Sequence, residues 1–385
     1  MERARNDLNV IILVGRSRLH LLGYLTSFLP LPDYHRFGAV CKNWSIVIRE
    51  RHHGPAQQLP WLVLGEDSST EKRVFFNLAE NKHYYMDIPE LHEHFVCGSS
   101  FGWLFGVDIH MNIRMVEPFS RKSYNLPPLD FCPAILNDPD HNWEVLKAIS
   151  DHDPCERSDF TVMVVGYNYR VAFWRHGDPT WTIPYKSYGA INDVVFFKGK
   201  FYAVGYVCSD QIFVVDVGLG LDAELISLDH QVPMLPNTYK YLAEFEGELL
   251  VLQIQKARGI ASGTRNEAWP CPHKGTTNIV VHKLDLDLEG KSCFECEHLD
   301  NHALFVGNNS AVIIDPKRVP GSGCIKNSIY YTHTPSDIGR CCGNDLGIYD
   351  MVQKRLARYY SPEALFSSES SFTYLFVFPT WLASN

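Results

Sequence analysis

The sequence has no long stripe of basic residues. Its 35 Lys and Arg are outnumbered by 44 Asp and Glu, which leaves 385 residues with a formal charge of −9. Nucleic-acid binding rests on clustered cations that displace counterions from phosphates, so the composition argues against a nucleic-acid partner. A long apolar run is also missing from the first residues. Met1 to Asp7 is followed by only five apolar residues, Val10 to Val14, too few for a signal-peptide core or a membrane span. Paired cysteine spacing is scarce as well. The eleven cysteines are an odd number and are scattered, apart from Cys341-Cys342 and the pair Cys293 and Cys296. That usage fits reduced thiols better than a secreted disulfide frame, so a soluble protein of the nucleus and/or cytoplasm is expected, with no membrane partner. Finally, no set of carboxylates, histidines or cysteines stands at the spacing of a catalytic or metal site. The expectation is therefore no enzyme, no catalytic residue, no cofactor and no metal.

What is present is apolar material broken into short runs. Hydrophobic residues make up 45% of the chain and aromatics 13%, ample for a packed core. From Val162 to Val207, β-branched and aromatic runs alternate with Gly, Pro and Asp, the pattern of antiparallel strands joined by tight turns. Part of it recurs. Phe197-Lys198-Gly199-Lys200-Phe201 and Phe245-Glu246-Gly247-Glu248-Leu249 each sit between apolar runs, about 48 residues apart, and Gly102 lies about two such periods upstream of Gly199. An all-strand repeat of that length is one propeller blade. The chain is therefore predicted to be mainly β, a β-propeller of about six blades, with seven as the alternative.

The strands can be assigned in order. Trp61 to Leu64, Val74 to Leu78 and His83 to Met86 supply the first blade, and Val96 to Val107 with Ile113 to Val116 the second. Asp130 to Ser158, rich in Asp, Pro and His, reads as a long insertion. Phe160 to Ile183, Ile191 to Leu228, Tyr239 to His282 and His302 to Tyr349 give blades three to six, with a polar insertion from Ala257 to Thr277 in the fifth. Phe372 to Phe378 is strand-like and is placed to complete the first blade, closing the ring and protecting its edges.

Near the start the period changes. Leu22, Leu25 and Phe28, with Leu21 and Leu29, form a helical stripe, and a second stripe runs through Tyr34, Phe37, Val40, Cys41, Trp44, Val47 and Ile48. Pro30-Leu31-Pro32-Asp33 separates them, since proline ends one helix and is tolerated in the first turn of the next. Two or three short helices are expected. The predicted organisation is an extension at 1–16, a helical domain at 17–50, a linker at 51–59 and the propeller at 60–385. So small a helical unit buries little surface alone and should lean on a partner or on the following domain.

These residues carry a resemblance. Leu25 to Trp44, with Leu29-Pro30 and Val40-Cys41-Lys42-Asn43-Trp44, resembles the second half of an F-box. The resemblance implies docking to a Skp-type adaptor, and through it a cullin ubiquitin ligase, by Leu21, Leu22, Leu25, Leu29, Pro30, Tyr34, Phe37, Val40, Cys41 and Trp44. One feature departs from the pattern: Ser17-Arg18 occupies the place of the F-box's first Leu-Pro. The strand region is similar to the KIB-type domain of plant F-box proteins. The similarity lies in Val96 to Leu104, Pro118-Phe119-Ser120, Leu126-Pro127-Pro128, Val171 to Asp178 with Trp181-Thr182, Asp193-Val194-Val195, Lys198 to Val204, Ala303 to Gly307 and Asn327 to Tyr331, in that order. It implies a substrate receptor whose propeller binds a protein target, with target-binding residues unassigned. The alternative is a propeller interaction module that does not engage the ligase.

Several motifs resemble catalytic or ligand sites. Gly98-Ser99-Ser100-Phe101-Gly102 fits G-x-S-x-G, but a strand, Trp103 to Val107, follows where an esterase elbow needs a helix, so a hairpin is expected. Gly218-Leu219-Gly220 follows a strand, yet Pro233 cuts short any helix, which argues for a turn over a dinucleotide site. Cys293 and Cys296 lack a second pair; only Cys271 and His273 stand near enough to complete four ligands, and ordinary thiols are the simpler reading. His92 and His94 beside Cys97 read as solvent-facing loop residues. Trp174, Trp181, Tyr185 and Tyr188, with Arg175 and His176, have an interface-like composition. Propeller sheets pack through large side chains, however, so most of these are expected between blades.

Overall fold

The computed structural model describes residues 21–49, 56, 58–67, 69–129, 145–166, 170–184, 191–205, 212–216, 224–228, 235, 238–258, 273–284, 286, 293–333, 345–357 and 375–377. The chain divides into two compact units, residues 1–59 with 379–385 and residues 60–378.

The larger unit is a β-propeller, with six sheets among the described residues. The first contains β1 (Trp61–Asp67), β2 (Lys72–Asn77) and β3 (Lys82–Met86), and the second β4 (Phe95–Ser100), β5 (Trp103–Val107), β6 (Ile113–Val116) and β7 (Ser123–Asn125). The third has β8 (Val145–Ser150), β9 (Thr161–Gly166) and β10 (Val171–Arg175). The fourth has β11 (Ile191–Phe197), β12 (Lys200–Gly205), β13 (Ile212–Asp216) and β14 (Glu224–Leu228). The fifth has β15 (Thr238–Phe245), β16 (Glu248–Arg258), β17 (His273–Leu284) and β18 (Cys293–Glu295). The sixth has β19 (Ala303–Val306), β20 (Val312–Ile314), β21 (Ser328–His333), β22 (Asp345–Asp350) and β23 (Arg355–Ala357). The last strand, β24 (Leu375–Val377), returns to the first sheet and pairs antiparallel with β1, Trp61 opposite Val377. The ring is thus closed by its two ends, as the terminal aromatic run predicts.

Short two-residue turns set the inner hairpins. Phe101, Lys198 and Glu246 each take positive φ, followed by Gly102, Gly199 and Gly247 at φ of 79°, 79° and 76°. Two successive left-handed residues match the twist of antiparallel strands, and glycine adopts that region without a Cβ penalty. This is the physical origin of the glycine period in the sequence. A second periodic feature was not legible there: β4, β8 and β11 each carry a bulge, before Gly98, Lys147 and Asp193 respectively. Bulges bend a strand and strengthen its local twist at the same level of three successive blades.

The cores lie between consecutive blades. Trp61, Phe75, Leu104 and Val116 join blades one and two; Trp103, Phe105, Val162 and Trp174 join two and three. Met163, Phe173, Phe201 and Phe213 join three and four, Phe197, Tyr202, Leu242 and Val251 four and five, and Tyr241, Leu252, Leu304 and Tyr331 five and six. Each such side chain contributes about 1.5–3 kcal/mol through burial, so the ring is held by faces, not edges.

The structure corrects several boundaries. Val145–Ser150, assigned above to an insertion, is the first strand of blade three; its central Lys147 is buried and interrupts the apolar run that would have marked it. Ala257, Arg258 and His273 to Thr277 belong to β16 and β17, which outlast the apolar pattern, while 259–272 lies outside the described residues. Blade five extends to Glu295 and blade six to Ala357, because their outer strands are only three residues long and mostly exposed, too short to show an alternating pattern. Blade six has five strands, with β19 and β21 parallel, a pairing that no hairpin signal encodes.

Candidate functional site

The smaller unit is helical: residues 21–26 (α1), Leu31–Val40 (α2) and Lys42–Arg49 (α3). Helix α1 unwinds through Ser27, Phe28 and Leu29, whose amides bond to carbonyls three residues back, while the Thr26 and Ser27 hydroxyls donate to the carbonyls of Gly23 and Tyr24. Such side-chain bonds to the preceding turn favour a helix end. Pro30 caps α2, with Pro32 in its first turn and Asp33 beside the positive helix end. Cys41, extended at φ −162° and ψ 167°, separates α2 from α3. The two helices then approach closely at Gly38, where a Cβ would stand 2.9 Å from Ile48 Cγ1.

That geometry divides the residues of the F-box-like stripe. Tyr34 is 0% exposed, and Phe37 stacks on Trp44 with ring centroids 4.0 Å apart and planes 14° from parallel. The Phe37–Trp44 stack therefore holds α2 and α3 together, and Tyr34, fully buried, has no surface to offer a partner. Leu22 and Leu29 are half-buried. Leu21, Leu25 and Val40 are 60%, 50% and 63% exposed, and Pro30 and Cys41 are exposed too. Two exposed aromatics join them: Tyr24 and Phe28, the latter 62% exposed, meet edge to face at 5.1 Å. Leu21, Tyr24 and Leu25 fall at helical intervals of three and four and so share a face of α1, and Phe28, just beyond its end, joins them through its contact with Tyr24. Their spacing was the signal that could have added Tyr24 to the site.

The propeller places the remaining motifs. Gly98 to Gly102 forms the β4–β5 hairpin, with Ser100 opposite Trp103, so no helix N-terminus stands behind Ser100. Its hydroxyl instead accepts from Ser150 N–H at 3.2 Å and meets the Ser310 hydroxyl at 2.6 Å. Gly218 to Ala223 lies outside the described residues; the strands that flank it pair antiparallel, Asp216 opposite Glu224, unlike the parallel strands of a dinucleotide-binding unit. His92 Nδ1 lies 2.9 Å from Glu66 Oε1, whose bond and charge raise the imidazole pKa, while His94 Nδ1 meets the His92 carbonyl at 2.7 Å. Burial pushes the Cys293 thiol up to about 11, and the Cys296 thiol donates to the His298 carbonyl; Cys271 lies outside the described residues. Trp174 is buried and Trp181 half-buried against the same core, each indole N–H donating to a carbonyl, of Asp178 and Pro127. Arg175 lies over the Phe173 ring and His176 stacks on Phe160; Tyr185 and Tyr188 are outside the described residues.

The inner strands carry charge as well. Lys147 Nζ of β8 lies 2.6 Å from Asp193 Oδ1 of β11, and Asp193 Oδ2 accepts from Leu242 N–H of β15 at 2.7 Å. Three successive blades are tied by one carboxylate. Its burial raises the Asp193 pKa even against the pull of Lys147.

Comparison with known proteins agrees with this geometry. The KIB1-4 beta-propeller family profile matches residues 75–350. F-box protein SKIP23 of Arabidopsis thaliana is 21% identical over 83% of this chain and 84% of its own length. Probable F-box protein At4g22165 of the same plant is 25% identical over 88% of this chain and 89% of its own. With six radial sheets, a closing C-terminal strand and a profile match across most of the ring, this chain belongs to the KIB1-4 β-propeller family.

Proposed function

We propose that this protein is the substrate-recognition subunit of a Skp–cullin–F-box ubiquitin ligase, working in the nucleus and/or cytoplasm. The helical unit would hold a Skp-type adaptor, the propeller would bind a protein target, and ubiquitin transfer would be catalysed elsewhere. The chain's contribution is then effective concentration: a tethered target meets the ligase as an intramolecular partner.

The observation that carries this reading is the exposed face of Leu21, Tyr24, Leu25 and Phe28, with Val40 at the end of α2. Scattered apolar residues on a surface need no explanation, but several exposed apolar side chains at helical spacing and in mutual contact mark a binding face. The F-box relatives support an adaptor as its occupant. A second reading, a propeller that binds a partner without the ligase, rests on Ser17-Arg18 in place of the first Leu-Pro.

Co-purification separates the two. The full chain should capture a Skp-type adaptor, and Leu25→Asp with Phe28→Asp should abolish capture while leaving the circular dichroism unchanged. Capture of no adaptor by the wild-type chain, where a related F-box protein succeeds, would leave the second reading standing. Trp44→Ala is a poor test, because it removes the ring stacked on Phe37.

A further inference from the structure

Blade six presents a mixed basic and apolar surface at one end of its sheet. Its five strands share a register row: Ile314 pairs with Ala303, Ala303 with Ser328, Ser328 with Asp350 and Asp350 with Arg355. Strands β19, β21 and β23 begin at that row and β20 and β22 end there, so the segments 315–327 and 351–354 both project beyond the same end. Met351 N–H bonds to the Asn327 carbonyl at 3.0 Å and ties them side by side. Lys317, Arg318, Lys326 and Lys354 are carried on these segments, and all four are exposed. Among the described residues none of them is ion-paired.

Among the described residues the exposed anions nearby are fewer than the cations of this row. Asp315 accepts from Lys317 N–H, and Asp350 from Val352 and Gln353 N–H, so both carboxylates are turned onto backbone amides and half-buried. The neighbouring 296–302 segment carries two exposed carboxylates, Glu297 and Asp300, the latter 3.1 Å from His298 Nδ1, against four exposed cations on the row. Among the cations stand two exposed aliphatic side chains, Ile325 and Val352, the latter 67% exposed. The arrangement contrasts with a chain whose net charge is −9.

We infer that this end of blade six is a docking surface for an acidic segment of a protein target, one that carries an aliphatic or aromatic residue among its carboxylates. The inference rests on the receptor reading above and narrows the class of target. Four inter-strand gaps give the row a span of about 20 Å, which about six extended residues cross. Cations carried on the same segments as exposed aliphatic side chains give steering and register from charge, and residence from burial. A polyanion read only through phosphates would gain nothing from Ile325 and Val352, which favours a peptide.

The test uses the full chain without any adaptor, so that its failure leaves the ligase reading untouched. A random twelve-residue peptide library displayed on phage is selected against the wild type. Enrichment of peptides holding several Asp or Glu and at least one Leu, Ile or Phe is expected. Binding of a synthetic selected peptide should weaken at least about tenfold in Lys317→Glu/Lys326→Glu/Lys354→Glu and in Ile325→Ser/Val352→Ser, and should fall with salt in the wild type. Unchanged thermal midpoints show that the variants fold. Three results would overturn the inference: no acidic enrichment, equal binding by both variants, or charge-dependent binding to phosphatidylserine vesicles in place of peptide.

Discussion

Replacing Gly98 by alanine places a methyl group between the innermost strands of blades two and three. The new Cβ would stand 2.0 Å from the Ala148 carbonyl oxygen and 2.8 Å from its carbon and nitrogen. The obstacle is backbone, fixed by the β8–β9 ladder, so no side chain can rotate away. Relief needs about 1 Å of strand separation, because non-bonded atoms closer than contact distance repel steeply. Overpacking of this kind costs about 1–3 kcal/mol, while alanine recovers about 0.5–1 kcal/mol of backbone entropy relative to glycine. With backbone on both sides the cost lies at the upper end, for a net loss of about 2 kcal/mol and a fall in thermal midpoint of roughly 5 °C. Denaturant unfolding followed by tryptophan fluorescence reads it, since Trp103 lies in the same core. Gly199→Asn is the control: no atom lies within 4 Å of its Cβ position, and asparagine tolerates the left-handed φ of 79°. An unchanged midpoint for Gly98→Ala would refute the close approach of β4 and β8.

Further outcomes follow from buried chemistry. Lys147→Met leaves the Asp193 carboxylate buried without its cation, and should cost about 3 kcal/mol near neutral pH. Because burial raises the native pKa of Asp193 above its unfolded value of 3.8, the native state binds the proton more tightly. That contribution is present in full below the unfolded pKa and is lost as pH rises through the native one. The variant's deficit should therefore be larger at pH 8 than at pH 5, and a deficit independent of pH would argue against the pairing. Burial also pushes the Cys97 thiol up to about 12, whereas Cys41 is exposed. Maleimide labelling of the native chain, read by peptide mass spectrometry, should modify Cys41 within minutes and Cys97 only on unfolding.

The repeat was legible because its cause is local. Gly102, Gly199 and Gly247 are required by their own turns, and the apolar runs on either side are the strands that those turns join. The closing strand was legible for the same reason, as an aromatic run with no other place in the ring. What escaped notice depends on distant partners. Lys147 disguises β8 because its charge is satisfied by Asp193 in the next blade, and the parallel pairing of β19 with β21 is set by a crossover that leaves no turn signature. The helical stripe was half legible. Its period showed an apolar face, but packing decides which members are buried or hold the helices together, as Tyr34 is and as Phe37 and Trp44 do, and which remain outside, as Leu25 and Phe28 do.

The most direct measurement is a calorimetric titration of a Skp-type adaptor into the full chain, beside the same titration with Leu25→Asp/Phe28→Asp. The wild type should bind with one-to-one stoichiometry and a negative heat-capacity change, the mark of buried apolar surface. The variant should bind at least about a hundredfold more weakly, as expected when two central apolar contacts are lost. No heat with the wild type, or equal affinity in both, would contradict the assignment of this helical face to the adaptor.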